Sequence, residues 1–588
     1  MKSPATDTGS ATEAGAPEAA YCSTTQTYSP SYTISGSATY QARVYNGTGL
    51  GNAGSQQPIR YAEVVVKDSG GTVVQCTETD GNGDFSFQMP QSGASYTVSV
   101  HSRSFNSHLK ASVMDTPSTK NYYALSLDFT ADGTKTLANM NAPVTGAVLG
   151  GAFNILDQLL NANEFLADTV GNCSSTYAEC KDVTVAPKVE AYWKKGFNPG
   201  SYIDVSSGLS FYLPGYSRLF ILGGLNGDVD VTDTDHFDNS VIIHEYGHFL
   251  EDNVFRSSSP GGSHNGNKII DPRLAWSEGW GNFFQAAVQN YVAVKHSTTY
   301  TPVYLDTYGN ISGGAGHYGH YFEVDLENNA TPSYDRPLHA GEGIFREFSV
   351  TRILWDMIDN TPTENSPTND NVSNAFPDIW EVLTSTTHGY SNTSVPFLNI
   401  GYFHQFQIWL QGNGSPQNGN DLSNLRSVEM QTGGTAEYAQ YVTTGSSCSD
   451  YSLTPAVASG DDGTFSTSDL NRNNDFYHLH VSSGQTVTLT LNYQDSDGTG
   501  AEADVDLYLY NKNARFGYST DLVGRSYNAP DGDPTTAEAE SLTATLSAGD
   551  YMINVFVYTG ENGNTPGGPF TYTLKLNGAQ LCPSNLVP

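Results

Sequence analysis

Two histidines and a glutamate stand close together near the middle of the chain, with the spacing of metal ligands on a helix. The segment 241–250 reads VIIHEYGHFL and contains His244-Glu245-x-x-His248. Residues four apart share one helix face, so both imidazoles could bind one Zn²⁺ while Glu245 stands beside the open coordination position as a general base. This arrangement would activate a water molecule for hydrolysis. The alternative, a helix with two surface histidines, is disfavoured by the apolar flanks of the motif.

A catalytic zinc site of this type needs a third protein ligand, and Glu278 is the best candidate. The segment 274–288 is rich in Trp, Phe and Ala and indicates a buried helix, in which Glu278 is the only acid. A buried carboxylate needs a positive partner, and a metal ion would supply it. Gly279 and Gly281 would allow this helix to approach the histidine helix closely.

Other residues are weaker candidates for the site. His264 and Asp271 are rival third ligands, but their neighbours are rich in Gly, Asn and Pro and indicate loops. The oxyanion formed during hydrolysis needs a hydrogen-bond donor besides the metal. Tyr318 and His320, in a glycine-rich loop, are candidates for that catalytic role, although loop tyrosines and histidines are commonly plain surface residues.

A strongly apolar helix is predicted over 343–358, and it carries Glu347 and Arg352. Arg352 and Asp356 are spaced i,i+4, so a structural ion pair is the simplest interpretation. The alternative is that Glu347 or Arg352 faces the cleft, because ionisable groups on a largely buried helix need a partner. Arg352 is therefore retained as a catalytic candidate.

With these residues in place, the region 235–288 resembles the gluzincin group of zinc metallopeptidases, in which His-Glu-x-x-His is followed by a second helix bearing a Glu ligand. The resemblance implies that both motif histidines and Glu278 bind zinc and that Glu245 is the general base. Many relatives have Asp four residues after the ligand Glu, where it supports a metal-bound histidine. This chain has Asn282 there, whose amide oxygen can accept a hydrogen bond from an imidazole but lacks the charge.

Changes in hydrophobic periodicity divide the chain into several parts. We expect a flexible segment over 1–36, a β-sandwich with connecting strands over 37–145, a catalytic domain over 146–445 and a second β-sandwich over 446–588. The turn and strand at 79–87 resemble carboxypeptidase regulatory-like (transthyretin-like) domains, and the strands at 504–510 and 549–555 resemble the bacterial pre-peptidase C-terminal domain. The predicted fold class is therefore multidomain, with an α+β zincin catalytic domain flanked by two all-β sandwich domains.

Composition excludes several classes of partner. The 588 residues include 26 Lys+Arg and 61 Asp+Glu, for a net charge of −35, which argues against nucleic acid and anionic membranes. No stretch approaches the run of about 20 apolar residues that a membrane span requires. The N-terminal segment has no apolar h-region, so we expect any signal peptide to have been removed. The acidic run over 228–238 is a candidate Ca²⁺ site, although solvated acidic loops are commoner.

The cysteines predict an oxidising compartment. There are six, none in a metal-type Cys-x-x-Cys, so three disulfides are possible. Proximity in sequence and position around the last β-rich region suggest the pairs Cys173 with Cys180 and Cys448 with Cys582, which leaves Cys22 with Cys76.

These features predict a secreted, monomeric zinc metallopeptidase that hydrolyses peptide bonds of extracellular proteins as an endopeptidase. An aminopeptidase or glycoprotein-directed peptidase would carry the same motif. The rival from another class is a non-catalytic surface or carbohydrate-binding protein with a structural zinc site, but such a site has no use for Glu245. The resemblance to zincins implies that the strand predicted over 218–224 is the sheet edge along which an extended substrate adds. The alternative interpretation of Gly223 and Gly224 is a simple turn.

Overall fold

The computed structural model describes most of the chain and shows a multidomain, largely β-rich protein with sandwich-like parts and helices. The described residues are 20–45, 50–203, 208–224, 232–262, 264, 269–307, 321–327, 343–359, 376–393, 395, 397–411, 425–426, 429, 440–445, 447–453, 473–494, 503–512, 521–531, 533, 536–558 and 570–584. Tyr318 and His320 lie outside them.

The N-terminal part contains eleven short or medium strands. They are β1 Ser31–Tyr45, β2 Leu50–Pro58, β3 Glu63–Asp68, β4 Val73–Glu78, β5 Asp84–Pro90, β6 Ser95–His101, β7 Arg103–Phe105, β8 Lys110–Met114, β9 Ala124–Thr130, β10 Lys135–Thr136 and β11 Met140–Ala142. One sheet is built on β1, which pairs with β2, β5, β10 and β11, and a second sheet has the order β4-β3-β6-β9. Strict alternation of buried and exposed residues in β5 shows why these short segments form half-buried strands.

The middle part contains the helices. Its elements are α1 Leu149–Val170, β12 Val189–Tyr192, β13 Phe211–Leu213, β14 Arg218–Phe220, α2 Asn239–Asn253, α3 Pro272–Lys295, β15 Val303–Thr307, β16 Tyr321–Asp325, α4 Glu347–Asp356, α5 Phe376–Thr384 and α6 Ile400–Gln411. One sheet has the order β13-β14-β12-β8-β7, and β15 pairs with β16. Helices α1, α2, α3 and α5 pack together through apolar side chains that are almost completely buried.

The C-terminal part is all β within the residues that are described. Its strands are β17 Gln440–Thr444, β18 Tyr451–Leu453, β19 Asn474–Val481, β20 Gln485–Gln494, β21 Asp504–Asn511, β22 Leu522–Ser526, β23 Glu538–Leu546, β24 Gly549–Tyr558, β25 Phe570–Leu576 and β26 Ala579–Pro583. Nine of them follow the order β22-β21-β24-β19-β17-β26-β25-β20-β23, and β18 pairs with β25. These strands enclose an apolar core of their own.

Three boundaries predicted from the sequence need correction. The boundary between 36 and 37 falls inside β1, whose first residues pair with β5. The boundary at 145 is crossed by β7 and β8, because β8 pairs in parallel with β12 in the central sheet. The boundary at 445 comes after β17, which already pairs with β19 and β26. Each error concerns long-range strand pairing, which local alternation does not encode.

One hydrophobic core joins the N-terminal and middle parts, and it also receives residues from the C-terminal part. Trp193, Trp276 and Trp280 lie fully buried within it, while Phe476 and Tyr510 reach it from the C-terminal strands. The C-terminal part therefore shares this core with the helical middle part.

The three predicted disulfides are confirmed. They join Cys22 to Cys76, Cys173 to Cys180 and Cys448 to Cys582. Among the described helices, none combines the length and the apolar character needed to cross a membrane.

Candidate metal centre

Helix α2 carries the two histidines and the glutamate of the motif. Its apolar flanks, 241–243 and 249–250, are buried, so the helix is fixed on both sides of the motif. Asp238 occupies the N-cap, but its carboxylate bonds to β15 instead of to the helix. It accepts hydrogen bonds from the backbone nitrogen and the hydroxyl of Thr307, both at 2.8 Å. The start of α2 is thereby tied to the strand that follows α3.

Helix α3 begins at a side-chain cap. The Asp271 carboxylate accepts from the backbone nitrogen of Arg273 at 2.9 Å and forms an ion pair with its guanidinium at 2.7 Å. Asp271, a rival third ligand in the sequence, is thus engaged in starting the helix. Farther along, a Cβ atom on Gly247 of α2 would lie only 3.2 Å from the Cα atom of Gly281, so the two helices cross at close range there.

Three potential ligand atoms converge where these helices cross. The Nε2 atoms of His244 and His248 are 3.0 Å apart. Oε2 of Glu278 lies 3.2 Å from Nε2 of His244 and 3.3 Å from Nε2 of His248. In tetrahedral zinc sites with bonds of about 2.0–2.1 Å, the ligand atoms lie about 3.3 Å from one another. The three groups form one of the two clusters of possible metal ligands among the described residues.

The partners of the Nδ1 atoms show that each histidine turns its Nε2 atom towards the point where the three groups converge. Nδ1 of His244 lies 2.9 Å from Oδ1 of Asn282, and an amide oxygen only accepts, so Nδ1 carries the hydrogen. Nδ1 of His248 lies 3.3 Å from the Ser277 hydroxyl and 3.6 Å from a Glu251 carboxylate oxygen. Both Nε2 atoms therefore face the Glu278 carboxylate, while both Nδ1 atoms are engaged by neighbouring side chains. Two imidazole nitrogens and one carboxylate oxygen at these separations are a donor set that fits Zn²⁺.

Glu245 is buried beside the three ligand groups. Burial raises the pKa of its carboxyl group, whereas the charges of His244 and His248 and the backbone of Tyr212 act in the opposite direction. Tyr212 belongs to β13, so this strand and α2 enclose the carboxylate. A buried carboxylate next to a candidate metal site has the location that a general base requires.

His264 stands at the other oxygen of Glu278. Its Nε2 lies 3.2 Å from Oε1 of Glu278, and its Nδ1 lies 2.9 Å from Oε2 of Glu347 on α4. Burial opposes protonation of this imidazole, but the two carboxylates outweigh it and raise the pKa of His264 to about 9. The residue considered as a rival ligand thus connects Glu278 to Glu347, and Glu347 faces the site through it.

The remaining sequence candidates lie elsewhere or outside the described residues. Arg352 is almost fully buried on α4, and its Nε donates to the carbonyl oxygen of Asp325 on β16 at 3.3 Å. Tyr318 and His320 belong to a segment that the structure does not describe. The roles given to these three residues stay predictions.

Sequence reasoning did not assign Glu251, Ser277 or Tyr304 to the site. The Ser277 hydroxyl donates to Glu251 at 2.5 Å, and the pair adjoins Nδ1 of His248. The Tyr304 ring on β15 packs edge-on against His244, with ring centroids 5.8 Å apart. Glu251 could have been found as an acid one turn after His248 on an apolar helix, whereas no local signal identifies Tyr304.

The strand expected at the sheet edge is an interior strand. β14 lies between β12 and β13, so β13 and β7 are the two edges of this sheet among the described strands. The β13 residue Tyr212 is held to α2 by a hydrogen bond of 2.6 Å from its hydroxyl to Asp252. The edge nearest to Glu245 is therefore β13, and the expectation for 218–224 is corrected.

Comparison with known proteins identifies part of this region. Residues 172–394 match the family model described as the Mycolysin C-terminal domain, and this range includes α2 and α3 entirely. The match points to a peptidase-related protein. An uncharacterized protein of Archaeoglobus fulgidus is 26% identical over 137 residues, which are 23% of this chain and 31% of that protein. The chain thus spans about a third of the length of this curated relative.

Solved structures give only weak likenesses. The pre-peptidase C-terminal domain of a collagenase from Bacillus anthracis is 12% identical, with 21% of this chain and 89% of that chain covered and a TM-score of 0.13. A family 35 carbohydrate binding module from an environmental isolate is 14% identical, with 24% and 96% covered and a TM-score of 0.15. Scores this low establish no shared fold.

Proposed function

We propose that this protein is a secreted zinc-dependent metallopeptidase that hydrolyses peptide bonds of extracellular proteins. The observation that carries the proposal is the convergence of His244 Nε2, His248 Nε2 and Glu278 Oε2 within 3.0–3.3 Å of one another, beside the buried Glu245. A purely structural zinc site is closed by four protein ligands. Three ligands and an adjacent carboxylate are the composition of a catalytic site.

The chemistry divides between the metal and Glu245. A zinc ion held by the three ligands would polarise the scissile carbonyl and make water a stronger acid. The Glu245 carboxylate accepts a proton from the attacking water and delivers it to the departing amine nitrogen. Asn282 and Glu251, at the outer nitrogens of the two histidines, hold the imidazoles in the orientation that metal binding requires.

A peptide is the substrate class that this setting favours. The match of residues 172–394 to the Mycolysin C-terminal domain supports peptidase activity, and three disulfides are consistent with an extracellular location. β13 offers an edge to an extended peptide, and its residue Tyr212 adjoins Glu245. A peptide paired along β13 would bring its backbone carbonyl groups towards the general base.

The variant Glu245→Gln tests the mechanism because it keeps the shape of the side chain and removes its basicity. We expect cleavage of a fluorescently labelled, unfolded protein to fall about 10²–10⁴-fold, with the zinc content per chain unchanged. Glu78→Gln is the matched control, because Glu78 is an exposed residue of β4. Full activity of Glu245→Gln, with zinc retained, would eliminate the proposed mechanism.

The mode of cleavage is tested separately. A peptide series with free and blocked N-termini distinguishes an endopeptidase, which cleaves both, from an aminopeptidase, which needs the free amine. We expect equal cleavage of the two forms at internal bonds, identified by mass spectrometry of the products. Cleavage confined to the first bond of unblocked peptides would assign the site to an aminopeptidase.

A further inference from the structure

A second group of acidic side chains is separate from the three candidate zinc ligands. Asp233, Asp235 and Asp306 each offer one carboxylate oxygen, and these oxygens all lie within 4.8 Å of one another. The first two precede α2, whereas Asp306 belongs to β15. The hydrogen bonds that Thr307 donates to Asp238 hold the segment before α2 next to β15.

Two oxygens of this group are buried without a hydrogen-bond partner. Oδ1 of Asp233 and Oδ1 of Asp235 both lack one within the described part of the chain. Asp235 is only 4% exposed, and its other oxygen accepts a hydrogen bond from the Ser210 hydroxyl. A buried carboxylate oxygen that faces other carboxylates, with no donor, carries a large desolvation cost unless a cation compensates for it.

The electrostatics of the group agree with this geometry. Burial, followed by the charges of Asp235 and Asp306, raises the pKa of Asp233 to about 11. Burial and neighbouring carboxylates also raise the pKa values of Asp235 and Asp238 well above the ordinary range. Among the described residues, no ion pair joins Lys or Arg to Asp233, Asp235 or Asp238. The observed proximity of these carboxylates therefore requires either protons or a bound cation.

We propose that Asp233, Asp235 and Asp306 bind a Ca²⁺ ion. The donor set consists of oxygen atoms, which suits a hard cation and is unlike the nitrogen-containing set at the zinc centre. Ca²⁺ accepts irregular sets of carboxylate and carbonyl oxygens, whereas Mg²⁺ demands near-octahedral geometry and retains most of its waters. The set also differs from the acidic run expected from the sequence, because Asp306 comes from a distant strand and the stretch 225–231 lies outside the described residues.

The position of this site gives the ion a structural consequence. Asp235 is tied to the sheet by its backbone nitrogen, which donates to the carbonyl oxygen of Leu222 at 3.0 Å. Asp306 lies two residues from Tyr304, whose ring packs against His244. A Ca²⁺ ion at this site therefore links the segment that leads into α2 to β15 and stabilises the surroundings of the zinc centre. It takes no part in the reaction.

The test is a direct measurement of Ca²⁺ binding by the full-length chain. Protein stripped with chelator and reloaded with one equivalent of Zn²⁺ is titrated with Ca²⁺ by calorimetry, and its melting temperature is recorded at each concentration. We expect the double variant Asp235→Asn/Asp306→Asn to bind one Ca²⁺ fewer per chain, or to bind it at least about 10-fold more weakly. The rise of melting temperature with Ca²⁺ should shrink accordingly.

The controls separate this site from others. Asp450→Asn removes one carboxylate at an exposed position of the C-terminal part, as Asp233→Asn does at the proposed site, and should bind Ca²⁺ like the wild type. Asp233→Asn, at a partly exposed position, serves if the double variant does not fold, and it should also weaken binding. Unchanged stoichiometry and affinity in these variants, or absence of saturable binding by the wild type, would overturn the proposal. The experiment measures Ca²⁺ binding and not peptide cleavage, so a failure of the Ca²⁺ proposal is distinct from a failure of the proposed peptidase function.

Discussion

Oδ1 of Asn282 lies 2.9 Å from Nδ1 of His244, on the opposite side of the imidazole from the point where the three ligand atoms converge. Asn282 is one turn after Glu278 on α3 and is buried. One helix therefore supplies both a ligand and the group that orients the neighbouring ligand. An amide in this position fixes the tautomer of His244 without adding a second negative charge to the site.

Replacing Asn282 by Leu should weaken zinc binding while the fold is retained. The variant removes the acceptor of the Nδ1 hydrogen, so the imidazole loses its preferred tautomer and orientation, and we expect zinc affinity to fall about 10–100-fold. Competition with a chromophoric chelator measures this affinity. Asn282→Asp restores an acceptor and should bind zinc at least as tightly as the wild type. Equal affinity of all three proteins would mean that Asn282 does not support His244.

The glycines of α3 provide a second test of how the site is built. A Cβ atom on Gly281 would lie 2.8 Å from Nδ1 of His244, whereas one on Gly279 would lie 2.6 Å from Cβ of Val350 on α4. Either Ala substitution overpacks a helix interface, which lowers the free energy of unfolding by about 1–3 kcal/mol. The higher helix propensity of Ala compared with Gly offsets roughly 1 kcal/mol of this loss.

Only Gly281→Ala should also displace the imidazole. We expect both Ala variants to lower the free energy of unfolding, measured by urea denaturation, and Gly281→Ala alone to lower zinc affinity by about 10-fold or more. Gly279→Ala is the matched control for a change in helix packing without contact to His244. An equal effect of both variants on zinc affinity would show that helix separation, and not contact with the imidazole, controls the site.

Much of the metal centre could be predicted because its parts are local. The spacing of His244 and His248 defines a helix face, and Glu278 is conspicuous as the single acid in an apolar helix. The structure brings Nε2 of both histidines and Oε2 of Glu278 close together, with Asn282 at Nδ1 of His244, and their roles in binding a metal stay a prediction. Each inference needed only helical periodicity and the cost of burying a charge.

The parts that could not be predicted depend on contacts between distant segments. Asp306 and Tyr304 lie on a strand whose own sequence shows no catalytic or metal-binding pattern, and they approach α2 only through the fold. Likewise, the strand-like sequence of β8 does not show that this strand pairs with β12 as well as with its N-terminal neighbour β7. A period of two specifies a face, whereas the partner strand is chosen by the whole topology.

The contact between the C-terminal strands and α3 leads to a stability prediction. The rings of Phe476 and Phe397 are 4.6 Å apart, and the guanidinium of Arg273 lies over Phe397 while Nη1 donates to the carbonyl oxygen of Lys512 at 2.6 Å. Phe476→Ala should lower the free energy of unfolding by about 3–5 kcal/mol, because it removes a fully buried ring. Phe105→Ala, at a ring 48% exposed, should cost no more than about 1 kcal/mol. Urea denaturation compares the two, and equal losses would contradict a tightly packed interface.

A pair of acids in β21 gives the C-terminal part a predictable dependence on pH. Burial raises the pKa of Asp506 from 3.8 to about 7; the hydrogen bond from Tyr508 and the charge of Arg525 oppose this shift, and the charges of Asp504 and Glu540 add to it. Burial and the charge of Glu540 also raise the pKa of Asp504 from 3.8 to about 6. Between the unfolded pKa of 3.8 and these raised values, the folded protein keeps protons that the unfolded chain has already released. Stability should therefore fall as pH rises from about 4 to 7 and remain low above that range.

Asp506→Asn removes the largest part of this dependence. The amide is neutral at every pH in the range, so the variant should be more stable than the wild type at pH 8 by roughly 1–2 kcal/mol and should show a shallower decline between pH 4 and 7. Urea denaturation at several pH values, in the presence of a chelator to remove metal effects, measures both quantities. Asp450→Asn, which removes one exposed charge from the same part of the chain, should leave the slope unchanged. A wild-type slope that survives in Asp506→Asn would assign the pH dependence to other groups.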